Sequence, residues 1–283
     1  MIVLHELDTF RGFLDEARAG GKNIGFHPTM GALHGGHSAN VRRVAAECDV
    51  AAVSIYVNPL QFGPEEDFAS YPRDLDGDLA RAEEAGADVV FVPREMFGQE
   101  PLTTVRVGHL DQMLEGARRP GHFQGVATIV TKLLSLAGPC FVYFGEKDYQ
   151  QLLIVRRLVS DLSLPAVVVG CPTVREPDGL ALSSRNSYLE GPERKAAPVL
   201  YWSLLAGKRA IEEQGVGDAG AVRAAMVEVA NAGPLFVLDY AAVADPCSLE
   251  EVKVVDREVR LLVAGWIGRT RLIDNVKATP GGD

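Results

Sequence analysis

Asn23-Ile24-Gly25-Phe26-His27-Pro28-Thr29-Met30-Gly31-Ala32-Leu33-His34-Gly35-Gly36-His37 runs directly into Ser38-Ala39-Asn40-Val41-Arg42-Arg43-Val44-Ala45-Ala46-Glu47-Cys48. The stretch reads as a strand, a glycine-rich loop and a helix. Ile24 and Phe26 belong to a short apolar run that Pro28 is expected to end, and Pro28 biases His27 toward extended backbone. Beyond the loop, Val41, Val44, Ala45 and Cys48 recur at helical spacing, so one face of that helix points to a core. Gly31, Gly35 and Gly36 permit tight turns and close approach of a ligand to the backbone. The amides at the start of the helix form a ready anion site.

His34 and His37 sit where this loop meets the helix, three residues apart, and share a face if the helix begins near His34. Imidazoles can donate hydrogen bonds to phosphate oxygens as charge builds during phosphoryl or nucleotidyl transfer. The competing reading is two surface histidines in a turn. His34-Gly35-Gly36-His37 resembles the His-x-Gly-His signature of the nucleotidyltransferase and class I aminoacyl-tRNA synthetase superfamily.

Composition narrows the field. The chain has 283 residues, 47% of them hydrophobic, enough for one large domain or two of ordinary size. Its 28 basic and 38 acidic residues give a net charge of −10, which argues against a broad nucleic-acid or anionic-membrane footprint. Cys48, Cys140, Cys171 and Cys247 are scattered without zinc-ligand spacing. Cys48, Cys140 and Cys171 lie in apolar runs and read as buried thiols, consistent with a reducing cytoplasm. No signal peptide and no apolar run of membrane-spanning length is visible.

Outward from the first loop, the chain alternates strands and helices. A helix is expected over 4–19, ended by Gly20-Gly21. The run 49–57 is apolar almost throughout, as for a parallel strand buried on both faces. Asn58-Pro59-Leu60-Gln61 follows it, at the strand end where α/β sheets bind ligands. Asn58 and Gln61 can each donate and accept, although ordinary turn chemistry also accounts for Asn58-Pro59. Asp67 to Asp78 is acidic; one carboxylate is a candidate magnesium ligand, and a solvated loop with a helix start is the ordinary alternative. A helix over 75–85 and a strand over 88–92 come next, then a weak edge strand over 103–107. The glycine-rich stretch 114–126 reads as a break in regular structure; its Arg118, Arg119 and His122 either face an anionic ligand or belong to a surface flap. A helix from Val126 and a strand over 139–144 lead to Gly145-Glu146-Lys147-Asp148. There Lys147 repeats the strand-to-helix placement of the first loop as a compact charge for phosphate, and Asp148 is a ligand candidate or a cap for the helix 149–162.

After a strand over 166–170, Asp178-Gly179 signals a hairpin. Ser183-Ser184-Arg185-Asn186 then offers two hydroxyls and a guanidinium, a good phosphate-binding set. Helices over 193–213 and 219–230 and strands over 235–243 and 259–264 complete the pattern. The expectation is an α/β protein: a doubly wound, Rossmann-like parallel-sheet domain over 1–173, and a smaller α+β domain over 174–283.

Several motifs in order, Pro28 to His37, Val57-Asn58-Pro59-Leu60-Gln61-Phe62-Gly63, Arg119-Pro120-Gly121-His122-Phe123, Phe144 to Asp148, Gln151, Leu182-Ser183-Ser184-Arg185-Asn186 and Thr270-Arg271-Leu272-Ile273-Asp274-Asn275, resemble the pantothenate synthetase (pantoate–β-alanine ligase) family over nearly the whole chain. The resemblance implies a cytoplasmic, homodimeric, magnesium- and ATP-dependent ligase that makes pantothenate through a pantoyl adenylate, releasing AMP and pyrophosphate. It implies ATP contacts from Met30, Gly31, Ala32, Leu33, His34, Gly35, Gly36 and His37, from Gly145, Glu146, Lys147 and Asp148, and from Val174, Leu182, Ser183, Ser184 and Arg185. The second domain would close over the nucleotide. Gln61 and Gln151 would bind pantoate, with Gln61 also near β-alanine, and Asn58 stands beside them. His37 would be the catalytic histidine, with His34 and Lys147 as further donors. Asp78 is the candidate magnesium ligand; Gly77 stands where some members carry a carboxylate. The rivals are a cytidylyl- or adenylyltransferase of the same superfamily and a non-catalytic nucleotide sensor.

Overall fold

The computed structural model describes residues 1–64, 66–98 and 101–281. The chain divides into two compact units: one comprises 1–146 and 150–172, the other 147–149 and 173–283. The last two residues of the expected second domain, 282 and 283, lie outside the described residues.

In the first unit six strands form one sheet, in the order β1 (Ile2–Leu4), β4 (Val89–Phe91), β3 (Val50–Ile55), β2 (Ile24–Thr29), β5 (Cys140–Gly145), β6 (Ala166–Cys171). Each neighbouring pair is parallel. The helices are α1 (Leu7–Ala19), α2 (Gly35–Glu47), α3 (Leu75–Glu84), the short α4 (Leu114–Arg118), α5 (His122–Ala137) and α6 (Tyr149–Asp161). This is the expected doubly wound architecture. Alternate residues of β2 show both faces covered. Phe26 lies 5.8 Å from the Phe10 ring of α1, while Gly25 faces Val44 of α2.

A methyl added at Gly25 would sit 2.4 Å from Val44 Cγ1 and 2.8 Å from Cys48 Sγ. Gly25→Ala is therefore expected to lower stability by about 1–3 kcal/mol, the usual scale of overpacking. An unchanged denaturation midpoint would contradict so close a seating of α2 on β2.

The chain winds from β2 through β3 to β4 on one side, then returns to β5 and β6 on the other. The reversal lies between β2 and β5, so the loops at their carboxyl ends flank the crevice where such sheets bind ligands. Those loops are Met30 to His34 and the segment after Gly145.

Several boundaries differ from expectation. The opening segment holds a strand, β1, before its helix; among the described residues β1 pairs only with β4. Pro28 does not end β2, which runs on to Thr29. The ladder to β5 stops at Phe26, so Pro28 is paired on the β3 side alone and its missing N–H falls where no β5 partner is paired. Residues 103–107 form no strand; the Val105 amide and the Thr104 hydroxyl bond to Thr128 and Gln124 of α5 instead. The stretch 114–126 is mostly helical, with α4 followed at once by α5.

In the second unit β7 (Phe236–Ala244), β8 (Val259–Ile267) and β9 (Thr270–Ala278) form an antiparallel sheet. Its helices are α7 (Gly191–Ala196), α8 (Val199–Glu212) and α9 (Ala219–Ala232). Leu200, Leu204, Val222, Met226, Leu261 and Val263 share its core. The single helix expected over 193–213 is two, because Pro198 lacks an N–H and its ring obstructs the preceding turn. The strand β9 was not expected, since Arg271, Asp274, Asn275 and Lys277 interrupt its apolar pattern.

Candidate functional site

The glycine-rich loop of the first unit is held from below by one carboxylate. Asp78 Oδ2 accepts from the Ala32 amide at 2.9 Å and Oδ1 from the Leu33 amide at 2.6 Å. Ala32 sits at φ 49, a left-handed conformation a non-glycine residue rarely adopts, and these bonds hold it there. Burial raises the Asp78 pKa, and the two amide bonds oppose that rise. Each oxygen of the candidate magnesium ligand thus accepts one backbone amide and keeps a further lone pair. Asp74 likewise caps α3 through the Gly77 amide at 3.1 Å. Among the described residues no group of three or more His, Cys, Asp or Glu side chains is placed to hold a metal ion.

Where the loop enters α2, both imidazoles are oriented by backbone. His34 Nδ1 accepts from the Gly36 amide at 3.1 Å, and His37 Nδ1 accepts from the His34 amide at 3.3 Å. An amide only donates, so in each neutral ring the proton is on Nε2. The two rings lie 4.1 Å apart between centroids. Each thus presents an Nε2–H donor at a helix N-terminus whose first turn carries no acidic residue. This geometry suits an anion whose charge grows during reaction.

His27 was not expected to take part. It is 3% exposed on β2, and its ring lies 5.8 Å from that of His37. Its Nδ1 donates to the Tyr143 carbonyl at 2.8 Å, which leaves Nε2 as an acceptor with no partner among the described residues. Burial lowers its pKa to about 4, so the ring is neutral. A histidine inside an otherwise apolar strand run was the available sequence signal.

Beyond β3, Asn58 is 1% exposed and caps a single 3-10 turn, Pro59–Gln61, through the Leu60 amide. Its Nδ2 donates to Gln61 Oε1 and to the Gly125 carbonyl, both at 3.1 Å. Gln61 Nε2 donates to Met30 Sδ at 2.8 Å. Each bond uses one of the two hydrogens or lone pairs of the Gln61 amide, so the same group can hold a ligand at the same time. Met30 thereby connects the glycine loop to Gln61.

Arg119 and His122 are engaged within the protein. Arg119 grips Glu66 at 2.7 Å through two nitrogens, and His122 is 8% exposed; Arg118 is exposed. Gln151 is half-buried on the first turn of α6. The neighbouring Gln150 is the structural one, bonding the Glu115 amide and the Leu110 and Met113 carbonyls.

Lys147 and Asp148 lie in a 3-10 turn, Glu146–Asp148, and both belong to the second unit. Lys147 Nζ is 3.3 Å from Asp148 Oδ1. Asn275 Nδ2 on β9 donates to the Lys147 carbonyl at 2.7 Å. The adjacent Asp274, 4% exposed, takes both terminal nitrogens of Arg175, at 2.6 and 3.0 Å. Burial raises the Asp274 pKa, opposed by Arg175 and by the charge of Lys147. Val174 and Leu182 are joined by a backbone bond flanking the Asp178-Gly179 turn, where Arg175 and Ala181 form an isolated bridge. Ser183 caps the 3-10 turn Ser184–Tyr188 through the Arg185 amide. The sequence motif pointed to Lys147; its support from Asn275 and Asp274, more than a hundred residues later in the chain, was not legible.

Comparison with known proteins extends over the whole chain. The family described as pantoate-beta-alanine ligase matches residues 2–277. The pantothenate synthetase of Herpetosiphon aurantiacus is 50% identical over 269 residues, 93% of this chain and 97% of that protein. That of Thermus thermophilus is 52% identical over 262 residues, 92% and 94% of the two chains. A crystal structure of the Thermus thermophilus enzyme superposes with a TM-score of 0.94 at 47% identity, covering 99% of this chain and all of that one. The pantoate-beta-alanine ligase of Francisella tularensis, solved with β-γ ATP and β-alanine, gives 0.79 at 32% identity over 98% and 97% of the chains.

Proposed function

The chain belongs to the pantoate–β-alanine ligase family, and on that premise we propose that it works through a pantoyl adenylate. It is an acid–amino-acid ligase that forms a C–N bond. In the proposed first step a carboxylate oxygen of (R)-pantoate attacks the α-phosphorus of ATP. The bond to the bridging oxygen breaks, and pyrophosphate leaves. In the second step the β-alanine nitrogen attacks the acyl carbon, the acyl–oxygen bond breaks, AMP leaves, and the amine gives its surplus proton to solvent.

The observation that carries this reading is the pair of backbone-oriented imidazoles. His34 and His37 each have Nδ1 engaged by an amide, so each offers Nε2–H to a phosphoryl oxygen. Donors fixed before the reaction favour the transition state, where the α-phosphoryl gains charge. Lys147, Ser183, Ser184 and Arg185 are proposed as further donors to the nucleotide. The segments 30–37 and 145–148, with Val174 and Leu182, are proposed to bind ATP. Gln61 and Gln151, with Asn58 bracing Gln61, are proposed to hold pantoate through neutral amides, which orient its carboxylate without quenching the charge that must attack. His37 acts in this scheme through Nε2–H, because its Nδ1 accepts from the His34 amide.

Magnesium is proposed only as the ion that accompanies the triphosphate, keeping waters and phosphate oxygens as its main ligands. Asp78, whose two oxygens each accept one loop amide and keep a further lone pair, is its proposed protein ligand, and no step runs through the ion. A cytoplasmic setting is consistent with four free cysteines. Among the described residues no helix is long and apolar enough to cross a membrane. A homodimer is proposed from the family resemblance. The neighbouring side chains Phe141 and Val167, 38% and 57% exposed at the β5–β6 edge, are an apolar patch it would cover.

The test is pantoate-dependent exchange of labelled pyrophosphate into ATP with magnesium present and β-alanine absent. Exchange is expected, and AMP is expected to accumulate only once β-alanine is added. AMP formation without any exchange would count against a reversibly formed adenylate. Folded protein that neither exchanges nor makes AMP would return the transferase and sensor readings.

A further inference from the structure

The basic stretch after α4 is absorbed neither by the nucleotide site nor by the carboxylate that attacks it. Arg119 Nε and NH2 each donate to one oxygen of Glu66 at 2.7 Å. Its remaining nitrogen, NH1, lies 3.0 Å from His122 Nε2. A guanidinium can only donate, so His122 Nε2 must accept. The ring proton therefore sits on Nδ1, which donates to the backbone carbonyl of Gln61 at 2.8 Å. Burial and the neighbouring guanidinium lower the His122 pKa to about 4, so the ring stays in the neutral form this chain of bonds requires.

The same turn is gripped a second time by α5. A Cβ on Gly125 would lie 2.1 Å from the Leu60 carbonyl oxygen, so helix and turn meet backbone to backbone. Asn58 bonds the Gly125 carbonyl and the Gln61 side chain from the other end of the turn. The main chain of Gln61 is thus fixed by His122 and its side chain by Asn58 and Met30. Glu66 neutralises Arg119, so the relay brings no net charge up to the turn.

We propose that His122 is a positioning residue for Gln61, locked in its Nδ1–H tautomer by the Glu66–Arg119 pair, and that through Gln61 it sets the affinity for the carboxylic-acid substrate. The inference rests on the reading of Gln61 as a pantoate contact. A packing role alone would change stability and the amount of active enzyme. A positioning role changes the pantoate KM and leaves the ATP KM.

The experiment compares KM for pantoate and for ATP in the full-length enzyme and in the His122→Phe, His122→Asn and Gln61→Ala variants. His122→Phe removes both bonds, while the Asn amide nitrogen stands near the position of Nδ1 and can still reach the Gln61 carbonyl. Losing one hydrogen bond at this point is expected to raise the pantoate KM about tenfold in His122→Phe. His122→Asn should recover most of that loss, and the ATP KM should stay within about twofold of wild type in both. If His122→Phe does not fold, His122→Asn and ¹⁵N spectra of the wild-type imidazoles decide; a proton on His122 Nε2 overturns the proposal. Folded His122 variants with wild-type pantoate KM, beside a raised KM in Gln61→Ala, overturn this inference alone. An unchanged pantoate KM in Gln61→Ala removes the reading of Gln61, and the inference falls with it.

Discussion

His37→Ala is expected to lower kcat by about 100-fold or more, and Lys147→Ala by a similar factor, the scale of losing one transition-state donor. The histidine makes the sharper case, because its geometry specifies which nitrogen acts. Nδ1 is tied to the His34 amide at 3.3 Å, so only Nε2–H can meet a ligand. A glutamine side chain reaches roughly as far as Nε2 and carries an N–H there; an asparagine stops near Nδ1. His37→Gln should therefore retain more activity than His37→Asn, although Asn is the smaller change at the backbone. The ATP KM should move much less than kcat, since the bond strengthens as charge develops on phosphorus. Steady-state kinetics on the three variants check this. Near-normal turnover in His37→Ala, or Asn outperforming Gln, would remove the role.

The second large effect falls on stability. Arg175→Ala is expected to destabilise the protein by about 3–5 kcal/mol, because it leaves the Asp274 carboxylate buried without its partner. Arg175 makes a two-point pair with Asp274, donates to the Gly179 carbonyl, and lies 4.1 Å from the centre of the Tyr201 ring, whereas Asp274 otherwise keeps the Asn275 amide and the charge of Lys147. The sign of the pH dependence follows. Burial already raises the Asp274 pKa against the opposing pull of Arg175. Without the guanidinium that pKa rises further. A carboxyl whose folded pKa exceeds its unfolded value gains stability as pH falls through the folded value and loses it as pH rises. The deficit of Arg175→Ala should thus shrink as the pH is lowered, as Asp274 takes up a proton in the variant, and is compared at a neutral and a mildly acidic pH. Urea denaturation at the two pH values measures it; a deficit that grows toward acid would reverse the assignment. Replacing both partners by apolar residues of similar size should recover much of the loss, since no charge is then stranded. Asn275, next to Asp274, holds the Lys147 carbonyl, so Arg175→Ala should also lower kcat in the fraction that remains folded.

The order of elements was legible where periodicity is a local property. The apolar run of β3, the helical repeat of α2 and the turn residues between them define themselves within a dozen residues, and the doubly wound class follows from their alternation. Elements that depend on a distant partner were not legible. The strand β1 is three residues long and exists because β4 pairs with it. The charged positions that hide β9 include Asp274, whose burial makes sense only beside Arg175, 99 residues away. Pro28 reads as a terminator, yet it is tolerated because β2 has already parted from β5. The opposite happened at 103–107, where a weak alternation found side chains of α5 and no neighbouring strand.

The candidate site divides the same way. By itself the sequence determined which chemical groups are candidates to meet an anion: the imidazoles of His34 and His37, the ammonium of Lys147 and the neutral amides of Asn58 and Gln61, all following strands of the parallel sheet, and the Ser183-Ser184-Arg185 set after the later hairpin. Tertiary structure decided what each group is free to do. It made Asp78 the bracket of the glycine loop, 45 residues from the amide it holds. It set the imidazole tautomers by choosing which nitrogen meets an amide. It also withdrew Arg119 and His122 from solvent into a chain that ends on Gln61, 61 residues from His122. The physical reason is that a side chain's type is fixed along the chain, whereas its protonation, orientation and remaining hydrogen-bonding capacity depend on partners that only folding brings within about 3 Å.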